Sequence, residues 1–517
     1  MKELVPLLVA IPLGTAFLVV VLAHLKSTKG LTGPVAWLAV AANLALGVTL
    51  WAGAYSQGQP WRIWLGGWEN LGVELVFDGM AGLMVITLNL VALPVMIFAI
   101  AYMRKFHSRW LFRGLFLLML AAMNAAVLAG DLFSMYVAIE TAALASYALV
   151  AFGCEGEELE AAFKYLVLGV LASTFIVVGI TVLYALTGHL NMAMVGSILA
   201  ARPELAHSPA VLLVAAALLG GLALKAAMVP FHAWLPDAHP SAPAPVSALM
   251  SAVLIKAVGV YGLARIVFNV LGVSPYYAGV LMALGVASMV IGMLMANGQW
   301  DIKRLMAYST ISQAGYIVLA LGVAADVMSR PTPDRAVAAL CLVGGLFHLL
   351  NHATFKSLLF LTSGAIEQAT GTRQLQEMGG LAQRMPVTAL CCRVGALSIA
   401  GVPPFNGFLS KLLIVIALVL AGHWLLATVA VAVAVGTLVM YVKVQRYALD
   451  GEVSARTAEA HEAPWPMGLG MLVLAGLCLV GGVAFFWPLN QYLLTPAGEA
   501  LLRGAGPAIG LLAGGAP

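Results

Sequence analysis

Apolar runs of about twenty residues recur along almost the whole chain, separated by short polar or Pro/Gly-rich breaks. A run of this length crosses the hydrocarbon core of a bilayer as a helix, which satisfies its backbone hydrogen bonds internally. The pattern predicts an all-α polytopic membrane protein with about fourteen transmembrane helices. The predicted spans are residues 4–25, 31–55, 76–103, 110–129, 132–152, 162–187, 209–229, 243–268, 273–297, 303–324, 337–364, 386–420, 423–446 and 466–492.

The composition excludes several classes of protein. Of the 517 residues, 62% are hydrophobic and 9% are charged, whereas a soluble domain carries about 25% charged residues. The net charge of +4 is small for this length and does not indicate a nucleic-acid partner. Because the five cysteines show no CxxC or Cys/His ligand spacing, we expect no iron–sulfur cluster, haem, zinc site or other cofactor in this chain.

Positive charges in alternate loops predict the orientation in the membrane. Loops rich in Lys and Arg usually face the cytoplasm. The acidic loop at 155–160 falls on the same predicted inner side, but acidic residues contribute little to this rule. We therefore expect an inner (plasma) membrane protein with both termini on the outer side. The loop cations are Lys26, Lys29, Arg104, Lys105, Arg109, Arg113, Lys303, Arg304, Lys443 and Arg446.

Seven ionisable residues lie deep inside the predicted spans. Each costs at least about 2.5–3.5 kcal/mol on insertion scales, so such residues mark ion pathways by default. The alternative is a structural ion pair with lysines that extend toward the membrane surface, but a set this large favours a pathway. The residues are Glu140 in the fifth span, Lys225 in the seventh, Lys256 in the eighth, His348, His352 and Lys356 in the eleventh, and Lys411 in the twelfth.

The spacing of these residues suggests proton exchange. His348, His352 and Lys356 are separated by four residues each, which places them on one helix face as a ladder. The segment reads HLLNH rather than HExxH and lacks a third ligand, so a zinc site is not expected. A carboxylate that moves toward or away from a buried lysine changes whether the lysine holds its proton, so Glu140 and Lys225 are interpreted as a switch.

Proline and glycine break the seventh and twelfth spans. Such breaks at membrane depth are tolerated where they line protein or water, and a matched pair is typical of inverted-repeat transporters. We predict repeats at 110–268 and 273–446, with the N-terminal helices and the start of the first repeat at 1–130 and a last helix and tail at 447–517. The break residues are Pro230, Pro236, Pro240, Pro243 and Pro245 after Lys225, and Gly401, Pro403, Pro404 and Gly407 before Lys411.

The segment at 224–265, LKAAMVPFHAWLPDAHPSAPAPVSALMSAVLIKAVGVYGLAR, resembles a signature of the antiporter-like membrane subunits of respiratory complex I. The same signature occurs in energy-converting membrane-bound hydrogenases and in Mrp-type cation/proton antiporters. Further similar blocks follow at 301–317, 348–366 and 385–411 in the family's order. The resemblance implies a fourteen-helix fold with two inverted five-helix repeats, each enclosing a half-channel.

The resemblance also implies roles for individual residues. Glu140 matches the fifth-helix glutamate, Lys225 the seventh-helix lysine and Lys256 the eighth-helix relay lysine. His348 and His352 would lead toward Lys411, the twelfth-helix lysine. We count as supporting residues His232, Asp237, His239, Lys356, Pro230 and Pro404. The two loop histidines, His232 and His239, are interpreted as structural anchors that hold the loop by hydrogen bonds.

The function implied is that of a proton-translocating subunit in a multisubunit, redox-driven ion pump of the NADH:quinone oxidoreductase or membrane-bound hydrogenase type. Other membrane subunits would be its partners and would carry the redox centres, with protons or sodium ions as the transported species. The segment HAWLPDAHP favours the complex I and hydrogenase groups over the cation antiporters. The alternatives are a subunit of a multisubunit Na⁺/H⁺ antiporter and the membrane partner of an ion-driven inorganic-carbon uptake system.

Overall fold

A computed structural model describes residues 1–25, 28–67 and 72–504. Lys26, one of the cations used to predict orientation, lies outside the described residues, as does the side chain of Lys29. Within the described ranges, twelve helices are long and apolar enough to cross a membrane. The helices of the first half are α1 (Leu7–His24), α2 (Thr32–Gln57), α3 (Gly79–Tyr102), α4 (Arg109–Leu128), α5 (Leu132–Val150), α6 (Gly156–Thr187), α7 (Met192–Ala201), α8 (Pro203–Ala206), α9 (Pro209–Lys225) and α10 (Leu235–Ser241).

After α10 the chain continues with an apolar segment, Ala244–Val270, in which α-helical and π-helical turns alternate. Its α-helical parts are α11 (Ala244–Leu249) and α12 (Tyr261–Arg265), and its π-helical parts are Met250–Leu254, Lys256–Val260 and Ile266–Val270. The remaining helices are α13 (Pro275–Asn297), α14 (Ile302–Met328), α15 (Arg335–Thr370), α16 (Leu381–Arg384), α17 (Pro386–Ala400), α18 (Asn406–Leu420), α19 (Trp424–Val444), α20 (Trp465–Ala484) and α21 (Thr495–Leu502). Further π-helical turns span Gln445–Leu449 and Phe485–Leu494.

The predicted spans coincide with the observed helices, so the helical membrane fold is confirmed. The seventh span corresponds to α9, with α10 beyond its predicted end, and the twelfth span corresponds to α17 and α18. All four helices are shorter than the twelve long helices. The breaks fall where proline and glycine are dense, because proline removes a backbone donor and clashes with the preceding turn. The exact count of fourteen spans stays a prediction.

A small β-hairpin is present that we did not predict. Strand β1 (Trp61–Trp64) pairs antiparallel with β2 (Glu74–Phe77), and Trp61 lies opposite Phe77. The hairpin also touches the start of α5, because the Gly130 amide donates to the Glu74 carbonyl at 2.9 Å. It covers one end of the helix bundle, which we call the hairpin end.

Aspartates begin two of the long central helices in the same way. The Asp131 carboxylate accepts from the Ser134 amide at the start of α5, and the Asp301 carboxylate accepts from the Arg304 amide at the start of α14. Such caps satisfy amide groups that have no partner within the helix. Each aspartate also forms an isolated antiparallel bridge, to Asn191 and to Gln374 respectively.

The centre of the bundle is the segment 244–270 together with α14 and α15. The 18-residue core of 244–270 is completely buried, whereas α1 and α13 keep much of their apolar surface exposed. An exposed apolar face is the expected surface of a helix that contacts lipid. The predicted pathway residues on 244–270 and α15 therefore lie at the centre of the protein, away from lipid.

Candidate functional site

The first element of the site is an ion pair between α5 and α9. Lys225 Nζ lies 2.8 Å from Glu140 Oε1, and the Ser173 hydroxyl of α6 also donates to this carboxylate oxygen. The Lys225 side chain is 4% exposed and that of Glu140 is 23% exposed. The pair predicted from the sequence is thus brought together, but the acid lies nearer to the edge of the bundle than we expected.

The first helix break begins directly after Lys225. Ala227 has a positive φ of 54° and Val229–Pro230 is a cis peptide bond. A helix end leaves carbonyls without partners, and here the Trp234 indole donates to the Leu224 carbonyl at 3.1 Å. The break therefore holds Lys225 at the end of α9 and the chain beyond it in a defined geometry.

Lys256 occupies the central π-helical region of 244–270. It is completely buried, and its ammonium donates to the carbonyl of Ser251 one π-turn earlier. The Ser251 hydroxyl in turn lies 2.6 Å from the hydroxyl of Thr310 on α14. An alanine Cβ at Gly259 would lie only 2.6 Å from the backbone nitrogen of Ala226, so this segment packs directly on the first break.

The ladder on α15 is formed as predicted. His348, His352 and Lys356 are all completely buried, and the two imidazole rings lie 6.4 Å apart. His348 Nδ1 is 3.0 Å from the Ser410 hydroxyl on α18. Lys356 donates to the carbonyl of Met306 on α14 at 2.8 Å.

Lys411 lies at the second break. Its ammonium donates to the carbonyl of Ile399, in the last turn of α17, at 2.7 Å, and lies 5.1 Å from the centre of the Tyr316 ring. The C-terminal end of a helix attracts a cation through its unpaired carbonyls. Gly401 has a φ of 82°, and a Cβ there would lie 3.1 Å from the Lys411 side chain, so glycine fits this position well.

Two of the supporting residues, Asp237 and His239, lie on α10. Asp237 on α10 pairs with Lys164 at 3.2 Å and with Arg304 at 3.3 Å, which ties α10 to α6 and α14. The His239 ring is completely buried 5.0 Å from Phe360, and neither ring nitrogen has a hydrogen-bond partner among the described residues. The prediction that the His239 side chain anchors the loop by hydrogen bonds is therefore wrong within the part of the chain that the structure describes.

His232, Pro230 and Pro404 occupy the breaks, as predicted. The His232 ring lies 6.4 Å from the ring of Tyr308, and its anchoring role stays a prediction. Pro404 follows Pro403 through a cis peptide bond. Both breaks therefore contain a cis X–Pro bond.

Sequence reasoning missed the polar partners of the pathway residues. The Ser173 and Ser410 hydroxyls contact Glu140 and His348, and the aromatic ring of Tyr316 lies close to Lys411. The signal was present as serine and tyrosine inside apolar runs, such as AYSTISQAGYI in α14. Such residues are common in membrane helices, and without the packing their partners are not predictable. Among the residues that the structure describes, no group of three His, Cys, Asp or Glu side chains could hold a metal ion.

Comparison with known proteins identifies the family. The family model described as NADH:quinone oxidoreductase/Mrp antiporter, transmembrane region, matches residues 129–437, well over half of the chain. The chain belongs to this family. The matched region contains α5 to α18, both breaks and all of the predicted pathway residues.

Similar members of the NADH:quinone oxidoreductase/Mrp antiporter family come from different complexes. The chain is 37% identical to an NADH-quinone oxidoreductase subunit of Desulforudis audaxviator, over 78% of this chain and 79% of that one. It is 31% identical to a Na⁺/H⁺ antiporter subunit of Alkalihalophilus pseudofirmus, over 96% and 97% of the two chains. It is 35% identical to hydrogenase-4 component B of Escherichia coli, over 81% of this chain and 63% of that one.

Two solved complexes contain chains with the same fold. A chain of the Mrp complex from Dietzia sp. DQ12-45-1b has a TM-score of 0.86 and 28% identity, with 99% of both chains covered. A chain of the membrane-bound sulfane sulfur reductase, an archaeal respiratory membrane complex, has a TM-score of 0.83 and 29% identity, covering 98% of this chain and 99% of that one. The protein is therefore an antiporter-like, multi-pass membrane protein.

Proposed function

We propose that the protein is a proton-translocating subunit of a multisubunit, redox-driven ion pump, of the NADH:quinone oxidoreductase or membrane-bound hydrogenase type. Other membrane subunits are its partners, because the similar solved chains belong to multisubunit membrane complexes. Electron transfer takes place in those partners. The transported ion is the proton, with sodium as a linked cation.

One observation carries the proton-translocating part of this proposal: a series of buried, proton-exchanging side chains includes a lysine at each helix break. Lys225 lies at the first break and Lys411 at the second. Between them, the Lys256 ammonium interacts electrostatically with the His352 and His348 imidazoles. The Lys411 ammonium interacts in the same way with His348. Groups of this kind in mid-membrane are costly unless they serve transport.

In the first half, the Glu140 carboxylate controls Lys225. The 2.8 Å ion pair holds the lysine proton in place, so its weakening favours release of the proton. Lys256 lies on the segment that packs against the first break through Gly259 and Ala226. The released proton therefore passes toward Lys256.

In the second half, the proton moves along the face of α15. The two imidazoles bridge the region between Lys256 and Lys411, and the Ser410 hydroxyl links His348 to α18. Lys411 of α18, whose ammonium lies at the end of α17, delivers the proton to the second break. Water at the break then carries it to the outer side.

We further propose the inverted repeats at 110–268 and 273–446. The matched aspartate caps and bridges of Asp131 and Asp301 support them, since α5 and α14 hold corresponding places in the two repeats. The loop cations support a plasma-membrane orientation with both termini and the hairpin end on the outer side.

Purification of the assembled complex from its native membrane tests the proposed function. Mass spectrometry of the copurified chains should identify a quinone-site subunit or a nickel-iron hydrogenase subunit. Small antiporter subunits without redox chains would instead identify a Na⁺/H⁺ antiporter, and a large zinc-bearing cytoplasmic protein would identify an inorganic-carbon uptake system. Either of these results contradicts the redox-driven assignment.

A subunit of a multisubunit Na⁺/H⁺ antiporter is the second candidate function. The similarity to the Alkalihalophilus antiporter protein covers nearly the full length of both chains, more than the similarity to the Desulforudis oxidoreductase protein covers. Sodium-driven proton movement in vesicles that receive no electron donor would favour this function over the first.

We predict that His348→Ala and His352→Ala each lower the proton transport rate severalfold without eliminating it. Water can replace one step of a hydrogen-bonded relay while the neighbouring ring, 6.4 Å away, remains. The double substitution should reduce transport by more than about tenfold. Transport in sealed vesicles at equal subunit content is the measurement, and a normal rate in the double variant would show that the rings only pack.

A further inference from the structure

A cavity of about 640 Å³ opens at the hairpin end of the bundle. Its walls come from the β-hairpin, α3, α12, α21 and the turns next to them. The polar lining includes Arg62, Glu74, Asp78, Arg265, Asn269 and Arg503. In the proposed orientation this cavity faces the outer side. Burial raises the pKa of the Glu74 carboxyl in its wall, despite the opposing charge of Arg62.

An ion pair forms the floor of the cavity. Arg265 Nη2 lies 2.6 Å from Asp78 Oδ1, and the two side chains are 8% and 14% exposed. Arg265 also donates to the Tyr261 hydroxyl at 2.9 Å and to the Asn269 amide oxygen at 3.2 Å. Asp78 accepts from the Ala81 amide at the start of α3. The pair is therefore fixed on both of its elements.

Tyr261 connects this ion pair to α4. The Tyr261 hydroxyl donates to the carbonyl of Val127 on α4 at 2.7 Å, and Tyr261 itself is almost completely buried. Val127 and Leu128 of α4 and Leu263 of α12 are also fully buried. Lys256 precedes Arg265 by nine residues in the same segment, 244–270.

This arrangement blocks protons rather than relaying them. Arginine does not release its proton in proteins, so it cannot pass one on. A fixed positive charge in a narrow pathway repels protons and other cations. Asp78 is bound to Arg265 in the ion pair, so its carboxylate is not free to relay a proton from the cavity.

We propose that Arg265, Asp78 and Tyr261 form an outer seal that separates the cavity from Lys256. The proposal rests on the proposed function, in which Lys256 is a relay residue. The seal prevents protons that enter the cavity from reaching the relay and collapsing the gradient. The outer release of protons then takes place through Lys411 alone.

The test is a passive leak measurement on the assembled complex in sealed vesicles, with no electron donor present. The paired variant Arg265→Gln with Asp78→Asn leaves no unpaired charge in the buried site. We expect proton entry down an imposed gradient to rise by about tenfold or more, because the fixed cation is absent. Adding Lys256→Met to the paired variant should return the leak to the parental level.

A matched control is the ion pair between Arg330 and Asp326. Its N···O distance of 2.7 Å is nearly as short as that of the Arg265–Asp78 pair. The two residues lie outside the cavity lining, and their side chains are more exposed. Its paired neutralisation, Arg330→Gln with Asp326→Asn, should leave the leak unchanged. Tyr261→Phe provides a second test that changes no charge, and we expect a severalfold leak from it.

Three results would overturn the seal. The first is an unchanged leak in the assembled paired variant, or in Tyr261→Phe if the paired variant does not assemble. The second is a leak that persists with Lys256→Met, which would place the relay outside the sealed region. The third is slower pumping without any leak. Because the leak is measured without pumping, its outcome is independent of whether Glu140 drives transport.

Discussion

Glu140→Gln should abolish proton transport, or lower it by more than about a hundredfold, while the subunit still assembles. Glutamine keeps the volume of the side chain and still accepts a hydrogen bond from Ser173. It lacks the charge that lies 2.8 Å from the Lys225 ammonium. Without this charge the lysine no longer responds to the movement of a carboxylate, so the first half of the pathway loses its switch.

The measurement is proton transport in sealed vesicles, normalised to the amount of assembled subunit. Glu160→Gln is a matched control, because Glu160 also pairs with a lysine at 2.8 Å but its side chain is 68% exposed. Exposed pairs of this kind contribute little, so this control should pump at nearly the parental rate. Normal pumping by assembled Glu140→Gln would remove Glu140 from the pathway.

Lys411→Met should block proton exit and reduce transport by more than about a hundredfold, again with normal assembly. Methionine keeps an apolar stem of similar volume but has no proton to transfer. The Ile399 carbonyl, which accepts from Lys411 at 2.7 Å, loses that donor. Lys411→Arg should also fail, because arginine retains its proton.

Lys443 provides the control for Lys411. It donates to the carbonyls of Asn297 and Gln299 at 2.7 and 2.6 Å, so it also contacts carbonyls at a helix end, but it lies outside the proposed relay. Lys443→Met should leave transport close to the parental rate. Transport by Lys411→Met at a near-normal rate would place the exit elsewhere, and rescue by arginine alone would indicate that a fixed charge is needed.

The sequence predicted the helices and both breaks because hydrocarbon thickness and proline geometry act locally. Glu140, Lys225 and the ladder of α15 could be selected for the same reason, since a charge in an apolar run is visible without a structure. The hydrogen bonds of Ser173 and Ser410 were not predictable, because they join different helices and depend on how those helices pack.

Other features depend on tertiary packing. The β-hairpin lies in a segment that we treated as a loop, and its four-residue strands carry too short a pattern to stand out. The π-helical turns around Lys256 have no recognised sequence signal. The partner of Lys411 could not be predicted either, because it is the backbone carbonyl of Ile399 rather than a charged side chain.

The spacing of the two imidazoles limits how many protons the ladder holds at one time. Two unit charges 6.4 Å apart repel by about 2.6 kcal/mol at an effective dielectric constant of about 20. Double occupancy is therefore disfavoured nearly a hundredfold relative to single occupancy, at about 1.4 kcal/mol per tenfold. In the proposed mechanism the ladder is a single-occupancy conductor, in which a second proton enters only after the first has moved on.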